Sequence, residues 1–277
     1  MILYPTALSM RQKPPAGSRL AQPITGGFWL PGANGGVSDA SGGNAPGVIS
    51  GGVTRVQGPF GGPALKFDGS TGFVTVALNG NNTQNWSTRV PIPRTVWAWI
   101  RRPSSTSSGP VFFKGNNSPN SGFGLSILTT GIRVTWIGSF NNHLDTTTAL
   151  TVNDWHFVAV SYDGVDSTTG FSTSVSISVD GKLDLRSNVT LGAQNSPDSF
   201  DMLLGKAAYV GGIDGAPVAF ADLEIDHWGY DHRMYGPEEI ADLYARPFRN
   251  FAPAPIFGRF SAGSAAAAAR PRIFVCT

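Results

Sequence analysis

Cysteine is almost missing from this chain of 277 residues: the single one, Cys276, sits beside the C-terminus. A disulfide framework or a thiolate zinc site within one chain is therefore excluded. Charge is scarce as well, at 14% of residues against the usual quarter. The formal net charge is only +2 and the basic residues are scattered. Nucleic acid is not an expected partner, since binding it needs a basic stripe that neutralises phosphates. No apolar run approaches membrane-spanning length, so membrane insertion is not expected. The opening "MILYPTALSMRQKPPAGSRL" lacks a basic stretch followed by a long apolar one. A cleavable secretory signal is thus not expected, and synthesis in a reducing cytoplasm is. A Gly-x-Ser-x-Gly elbow is also lacking, and Gly205-Lys206 has neither a phosphate loop before it nor Ser or Thr after it.

What is abundant is turn-forming residue and half-buried strand. There are 35 Gly and 20 Pro, while hydrophobic residues still make up 41%, enough for a sizeable core. From Phe28 onward short apolar runs alternate with Gly, Asn, Asp and Pro. "ALKFDGSTGFVTVAL" reads as two strands around a turn at Asp68-Gly69. "RTVWAWIRRP" sets Val96, Ala98 and Ile100 against Trp97, Trp99 and Arg101. Both of its faces carry bulk, which places it well inside a sheet. Asp163-Gly164 and Asp180-Gly181 follow alternating runs as hairpin or turn signals. About a dozen strands are expected, with one helix in "GPEEIADLYA", where Pro237 and two acids suit an N-terminus. The expected class is all-β, an antiparallel jelly-roll β-sandwich. Residues 1–23 read as an extended arm, 24–248 as the sandwich, and 249–277 as a tail rich in Pro, Ala and aromatics.

Several of these stretches together resemble the laminin-G-like jelly roll of the concanavalin A-like lectin and glucanase superfamily. "GPFGGPALKFDGSTGFVTV" is similar to its opening motif, and "TVWAWIRRP" to its Trp-bearing strand. "NDWHFVAVSYDG" and "SVSISVDGKL" resemble two following strands, and "IDHWGYDHRMYGPEEIADLY" the closing strand with its short helix. The resemblance covers roughly residues 24–248 and implies that Trp97, Trp99, Trp155 and Trp228 are buried. The end "EEIADLYARPFRNFAP" and the basic-aromatic tail are similar to virion proteins of tailed bacteriophages, capsid decorations and fibres among them.

Fold alone leaves function open between several classes. Glycanases of the superfamily use Glu-x-Asp-x-Glu or Glu-x-Asp-x-x-Glu on one strand. Here Glu224 and Asp226 fit the start, but Trp228 or Gly229 stands where the acid/base belongs. Glycoside hydrolysis is therefore the third reading, and no enzyme is expected. The second is a lectin-like module, with Trp86 and the group Trp136, Asn141 and Asn142 as glycan-facing candidates. The first is a virion surface protein, a capsid decoration or fibre component released by lysis. Its arm (Tyr4, Arg11, Arg19) and tail (Phe248, Phe251, Phe257, Phe260, Arg272, Phe274) would contact capsid or other virion proteins, with homo-oligomers allowed. No cofactor is required. Calcium is the one ion the resemblance implies, at Asp68 and Asp226, although His227 replaces the family's oxygen-bearing Glu. The histidines His143, His156, His227 and His232 show no dependable ligand spacing.

Overall fold

The computed structural model describes residues 27–32, 35–41, 45–77, 93–115, 122–137, 142–163, 172–190, 201–207 and 219–248. The expected arm and tail lie outside them. The chain first lays down β1 (Phe28–Pro31), β2 (Val37–Asp39), β3 (Gly47–Ser50), β4 (Val53–Gln57), β5 (Pro63–Phe67) and β6 (Phe73–Val76). Next come β7 (Arg94–Arg101), β8 (Gly109–Gly115), β9 (Gly122–Ile127), β10 (Ile132–Ile137), β11 (Asn142–Asp145) and β12 (Trp155–Tyr162). The last third adds β13 (Ser172–Val179), β14 (Lys182–Thr190), β15 (Met202–Leu204), β16 (Lys206–Ala207), β17 (Ala219–Phe220) and β18 (Glu224–Asp231). One helix, α1 (Pro237–Ala245), closes the described chain. The excess over a dozen strands comes from pieces of two to five residues, too short to show a period.

One antiparallel ladder runs β11-β10-β9-β8-β15-β6-β3-β2-β1-β18-β7-β12-β13-β14, with β5 also on β18 and β4 on β5. The short strands β2 and β1 carry it from one sheet of the sandwich to the other. Strands β5 and β6 flank Asp68-Gly69 as expected but do not pair: β5 joins β4 and β18, β6 joins β3 and β15. That turn is thus a crossing between sheets. Asp180-Gly181 makes the tight β13–β14 hairpin instead, with φ of 49° and 76°. Two successive left-handed residues match the twist of the flanking strands.

The main core fills the space between the sheets. Val96, Ala98 and Ile100 of β7 and Val158 and Val160 of β12 meet Val111, Leu125, Ile127 and Val134 from the other side. Trp29 stacks on Trp228 at 6.1 Å and on Tyr230 at 5.9 Å, and its indole N–H donates to the Ala45 carbonyl at 2.7 Å. A second cluster lies on the outer face of the same strands. Trp97, Trp99, Phe157 and Ala159 pack there against Phe28, Tyr235 and the Ile240 and Leu243 side chains of α1. Burying each such aliphatic side chain is worth about 1.5–3 kcal/mol. The bulk on both faces of β7 therefore has two covers, a sheet and a helix.

Local chemistry fixes where that helix starts and stops. The Glu239 carboxylate accepts the Gly236 N–H at 3.0 Å and Arg233 Nη1 at 3.1 Å. Pro247 disfavours helical geometry at Arg246, whose φ and ψ are −141° and 64°. The link from β18 is pinned by buried Asp231, whose Oδ2 accepts the Tyr235 hydroxyl at 2.7 Å and Arg233 Nε at 3.0 Å. Thr95 Oγ1 donates to the Arg233 carbonyl at 2.7 Å and accepts the Tyr235 N–H at 2.8 Å. Among the described residues no helix is long and apolar enough to cross a membrane.

Two outcomes follow from this packing. A Cβ at Gly229 would stand 2.6 Å from the Trp97 ring and 2.8 Å from the Gly27 carbonyl oxygen. Gly229→Ala should therefore lower stability by about 1–3 kcal/mol in denaturant unfolding, and an unchanged midpoint would refute the contact. The second outcome concerns His232, whose imidazole is held down at about 4, chiefly by burial and then by the Arg94 guanidinium. The folded ring stays neutral where the unfolded one, with its ordinary value of 6.5, takes a proton. Stability should fall as pH drops from about 6.5 toward about 4 and level off below. His232→Gln should flatten that part of the stability profile; an identical slope would show that other groups produce it.

Candidate functional site

Strand β18 carries the carboxylate pair that raises the question of hydrolysis. Its register on β7 runs Glu224 to Arg101 and Ile225 to Ile100, then resumes at Trp228 to Ala98. Asp226 and His227 together thus oppose Trp99, which is a β-bulge. The Glu224 carboxylate, 3% exposed, is held by the Arg101 guanidinium, which also lies 5.1 Å over the Trp155 ring. Asp226 and His227 are fully buried. His227 is ringed by Phe248 at 4.8 Å, Phe28 at 5.4 Å, Phe60 at 5.5 Å and Trp99 at 6.3 Å. Its Nδ1 lies 3.4 Å from Asp226 Oδ2, yet neither side chain makes a hydrogen bond. The backbone of Gly58 presses on the same carboxylate, for a Cβ there would come within 2.9 Å of Oδ2. Retaining hydrolysis needs two carboxyls flanking a sugar bond. Here one faces the Arg101 guanidinium and the other is buried between Gly58 and His227.

The remaining sequence candidates divide by position. The register sets Trp136 directly opposite Asn142, beside the connection 138–141. Asn141 and Trp86 lie outside the described residues, as do Tyr4, Arg11, Arg19, Phe251, Phe257, Phe260, Arg272 and Phe274. Phe248 is described: it meets Phe60 edge-on at 5.1 Å and so packs on its own domain. Trp97, Trp99 and Trp228 are buried as the resemblance implies, and Trp155 is partly so.

Calcium does not find its donors here. Asp68 Oδ1 accepts the N–H groups of Ser70, Thr71 and Gly72 at 3.0, 2.8 and 2.8 Å. Its Oδ2 accepts the Thr71 and Ser70 hydroxyls at 2.6 and 3.0 Å. The Thr71 hydroxyl and these N–H groups hold the carboxyl far below the usual range. The oxygens are spent on their own turn. Strand register separates the pair as well, since Lys66 lies opposite Glu224 and Leu65 opposite Ile225. Continuing the count, Asp68 is level with Asp222 and Asp226 with Ala64, roughly 13 Å apart along the strand at 3.3 Å per residue. One ion cannot bridge them. Among the described residues, no three His, Cys, Asp or Glu gather as metal ligands.

A Thr-His-Asp chain appears that no motif announced. Thr151 Oγ1 lies 2.8 Å from His156 Nε2, and His156 Nδ1 lies 2.8 Å from Asp180 Oδ2. The spacing is that of a nucleophile, base and orienting acid. The Thr151 hydroxyl, however, donates to Asp154 Oδ2 at 2.8 Å, so its proton is not offered to the imidazole. Asp180 also accepts the Phe157 N–H at 2.9 Å, tying the hairpin turn to the start of β12. Burial opposes its charged form, but the His156 and Phe157 hydrogen bonds outweigh that and lower its pKa.

An open cleft of about 270 Å³ lies where α1 begins, over the outer face of β12, β13 and β14. One wall carries Ser161, Ser176, Ser178 and Arg186; Met234 and Ile240 stand on the other. Ser161 pairs with Ser176 across the strands, and Ser178 with Ala159, so the serines share the face that bears Phe157 further along. Ser161 Oγ meets Thr95 Oγ1 at 3.0 Å. Ser178 is only 4% exposed, and its hydroxyl makes no hydrogen bond to a described residue. The signal was present in "TSVSISV": serines alternate with Val175 and Ile177, and a stripe of small residues beside large ones leaves a hollow.

Comparison with known proteins agrees with this architecture. A family described as the concanavalin A-like lectin/glucanases superfamily, of the third laminin-G type, matches residues 67–227, more than half of the chain. No curated protein sequence matches. Among solved structures, the binding domain of botulinum neurotoxin DC in complex with rat synaptotagmin II is similar, with a TM-score of 0.56 and 19% identity over 79% of this chain and 50% of that one. A botulinum neurotoxin type C structure, described for cell entry dependent on two ganglioside molecules, gives 0.57 and 18%, covering 79% and 50%. Trypanosoma rangeli sialidase in complex with the inhibitor DANA gives 0.55 and 19%, covering 79% and 32%. The chain spans half or less of these structures, and at such identities the likeness is one of fold. With the matched segment running from the Asp-Gly crossing to the bulge of β18, the chain belongs to the concanavalin A-like lectin and glucanase superfamily.

Proposed function

We propose that this protein is a non-enzymatic binding module whose sandwich recognises a glycan. The observation that carries the reading is the state of Glu224 and Asp226: one carboxylate is clamped by Arg101 and the other is fully buried between Gly58 and His227. The similar toxin domains, one of them described for interaction with gangliosides, and the sialidase bound to DANA support this reading, because they share the fold. Trp136 and Asn142, held opposite each other, supply a ring to stack on and an amide to hydrogen-bond hydroxyls. A glycan array should give saturable binding that Trp136→Ala abolishes, with no release of reducing sugar from any bound polysaccharide. Measured turnover would overturn the non-enzymatic reading, and binding untouched by Trp136→Ala would remove that edge from it.

The setting we propose is a virion surface, with the terminal segments as attachments to capsid or other virion proteins. Phe248 favours this, because its packing against Phe60 and His227 fixes where the tail leaves the domain. The aromatics that follow it in sequence, Phe251, Phe257, Phe260 and Phe274, are of the residue type that suits contact with a neighbouring subunit. Removal of residues 249–277 should leave the unfolding temperature unchanged and prevent incorporation into particles. Normal incorporation of the truncated chain would refute the docking role.

A further inference from the structure

The cleft at the start of α1 has the makings of a second recognition site. Its polar wall is built from two neighbouring strands. Ser161 and Ser176 face each other across the pair, where Cβ atoms stand about 4.5–5.5 Å apart. Ser178 lies two residues further along β13, roughly 6.6 Å away at 3.3 Å per residue. Ser161 Oγ is engaged with Thr95 Oγ1, which leaves Ser176 and Ser178 as the hydroxyls of this wall that a ligand could meet. The opposite wall, with Met234 and Ile240, is apolar and suits the C–H face of a sugar ring, and Leu183, opposite Ser178 on the next strand, adds an apolar rim. A volume of about 270 Å³ is just below the range of drug-sized sites, so it suits one sugar unit rather than a chain.

Two features add a preference for negative charge. Arg186 is exposed at the cleft, and its recorded hydrogen bond is a long one of 3.4 Å from Nε to Ser174 Oγ. Its planar fork is therefore available to a carboxylate. Helix α1 starts at the same rim with Gly236 and Pro237, and its first turn adds partial positive charge. Of the acids there, Glu239 is already engaged with the Gly236 N–H and Arg233. The Ser178 hydroxyl lines the cleft on a nearly buried residue and makes no hydrogen bond to a described residue, so it can serve a ligand.

We infer that this cleft binds a single acidic sugar, a carboxylate-bearing pyranose, with Arg186 on the carboxylate and Ser176 and Ser178 on ring hydroxyls. The inference rests on the reading of the chain as a binding module but not on the Trp136 edge. The test is titration of the full chain with methyl glucuronide, methyl glucoside and inorganic sulfate, followed by chemical shifts. Glucuronide should shift signals of β13 and α1 saturably, and bind about tenfold or more tightly than the glucoside, one charge-assisted hydrogen bond's worth. Arg186→Gln, an exposed change, should erase that difference while leaving the unfolding temperature as it was. Ser178→Leu, which fills the cleft, should remove binding of both sugars.

Equal affinity for glucuronide and glucoside, or no effect of Arg186→Gln, would overturn the assignment. Sulfate bound as tightly as glucuronide would overturn it too, since the hydroxyls and the apolar wall would then contribute nothing. Array binding that depends on Trp136 without any response at the cleft would leave the binding module standing and remove this site alone. Silence towards every saccharide would remove both.

Discussion

Three adjacent strands of this protein, β18, β7 and β12, are buried on both faces over most of their length, and the rest of the architecture answers that constraint. A sheet that buries one face can leave the other to water; this one cannot. The inner face is covered by the opposing sheet. The outer face needs α1, the Phe28 and Phe60 rings and finally Phe248. Without them Trp97, Trp99 and Phe157 would form a contiguous exposed patch of the kind that drives association. The polar ties from Asp231 and Thr95 to the α1 connection are consequently structural fastenings, holding the cover in place.

The same cover decides what chemistry β18 can support. A strand position that offers carboxylates to solvent in one protein offers them to a closed aromatic layer here. Burying Asp226 and His227 without hydrogen bonds costs on the order of 1–3 kcal/mol per unsatisfied group. The surrounding ring contacts and the doubly buried strands offset that cost. Where the cover ends, beyond Ala159, the outer face turns from aromatic to serine, and open space appears. The open cleft thus falls at the margin of the aromatic layer.

Much of the fold was legible in the sequence because it is written in alternation. The two-sided bulk of "RTVWAWIRRP", the hairpin at Asp180-Gly181 and the helix after Gly236 each rest on a local rule that tertiary packing did not override. What was not legible was pairing. Asp68-Gly69 reads as a turn between two strands, yet those strands go to different partners: β5 to β4 and β18, β6 to β3 and β15, and both β18 and β15 lie more than a hundred residues further along the chain. The site was harder still. Glu224 and Asp226 share the spacing of a catalytic strand, and only the third dimension reveals Arg101 against the one and Gly58 against the other. The Thr151–His156–Asp180 chain joins a loop, a strand and a turn, and no linear pattern carries it.

The bulge at Asp226 and His227 has a consequence for how this strand tolerates change. Ile225 and Trp228 are three positions apart, an odd interval that on a regular strand would send them to opposite sides. The bulge absorbs the extra residue, so Ile225, Trp228 and Tyr230 all enter the space between the sheets. Losing either residue of this pair would leave a regular strand in which Ile225 and Trp228 stand two apart and still face inward, whereas one more residue inserted there would turn Trp228 and Tyr230 out of the interior at once. The bulge is the slack in this strand: it can give back a residue, but it has no room for another.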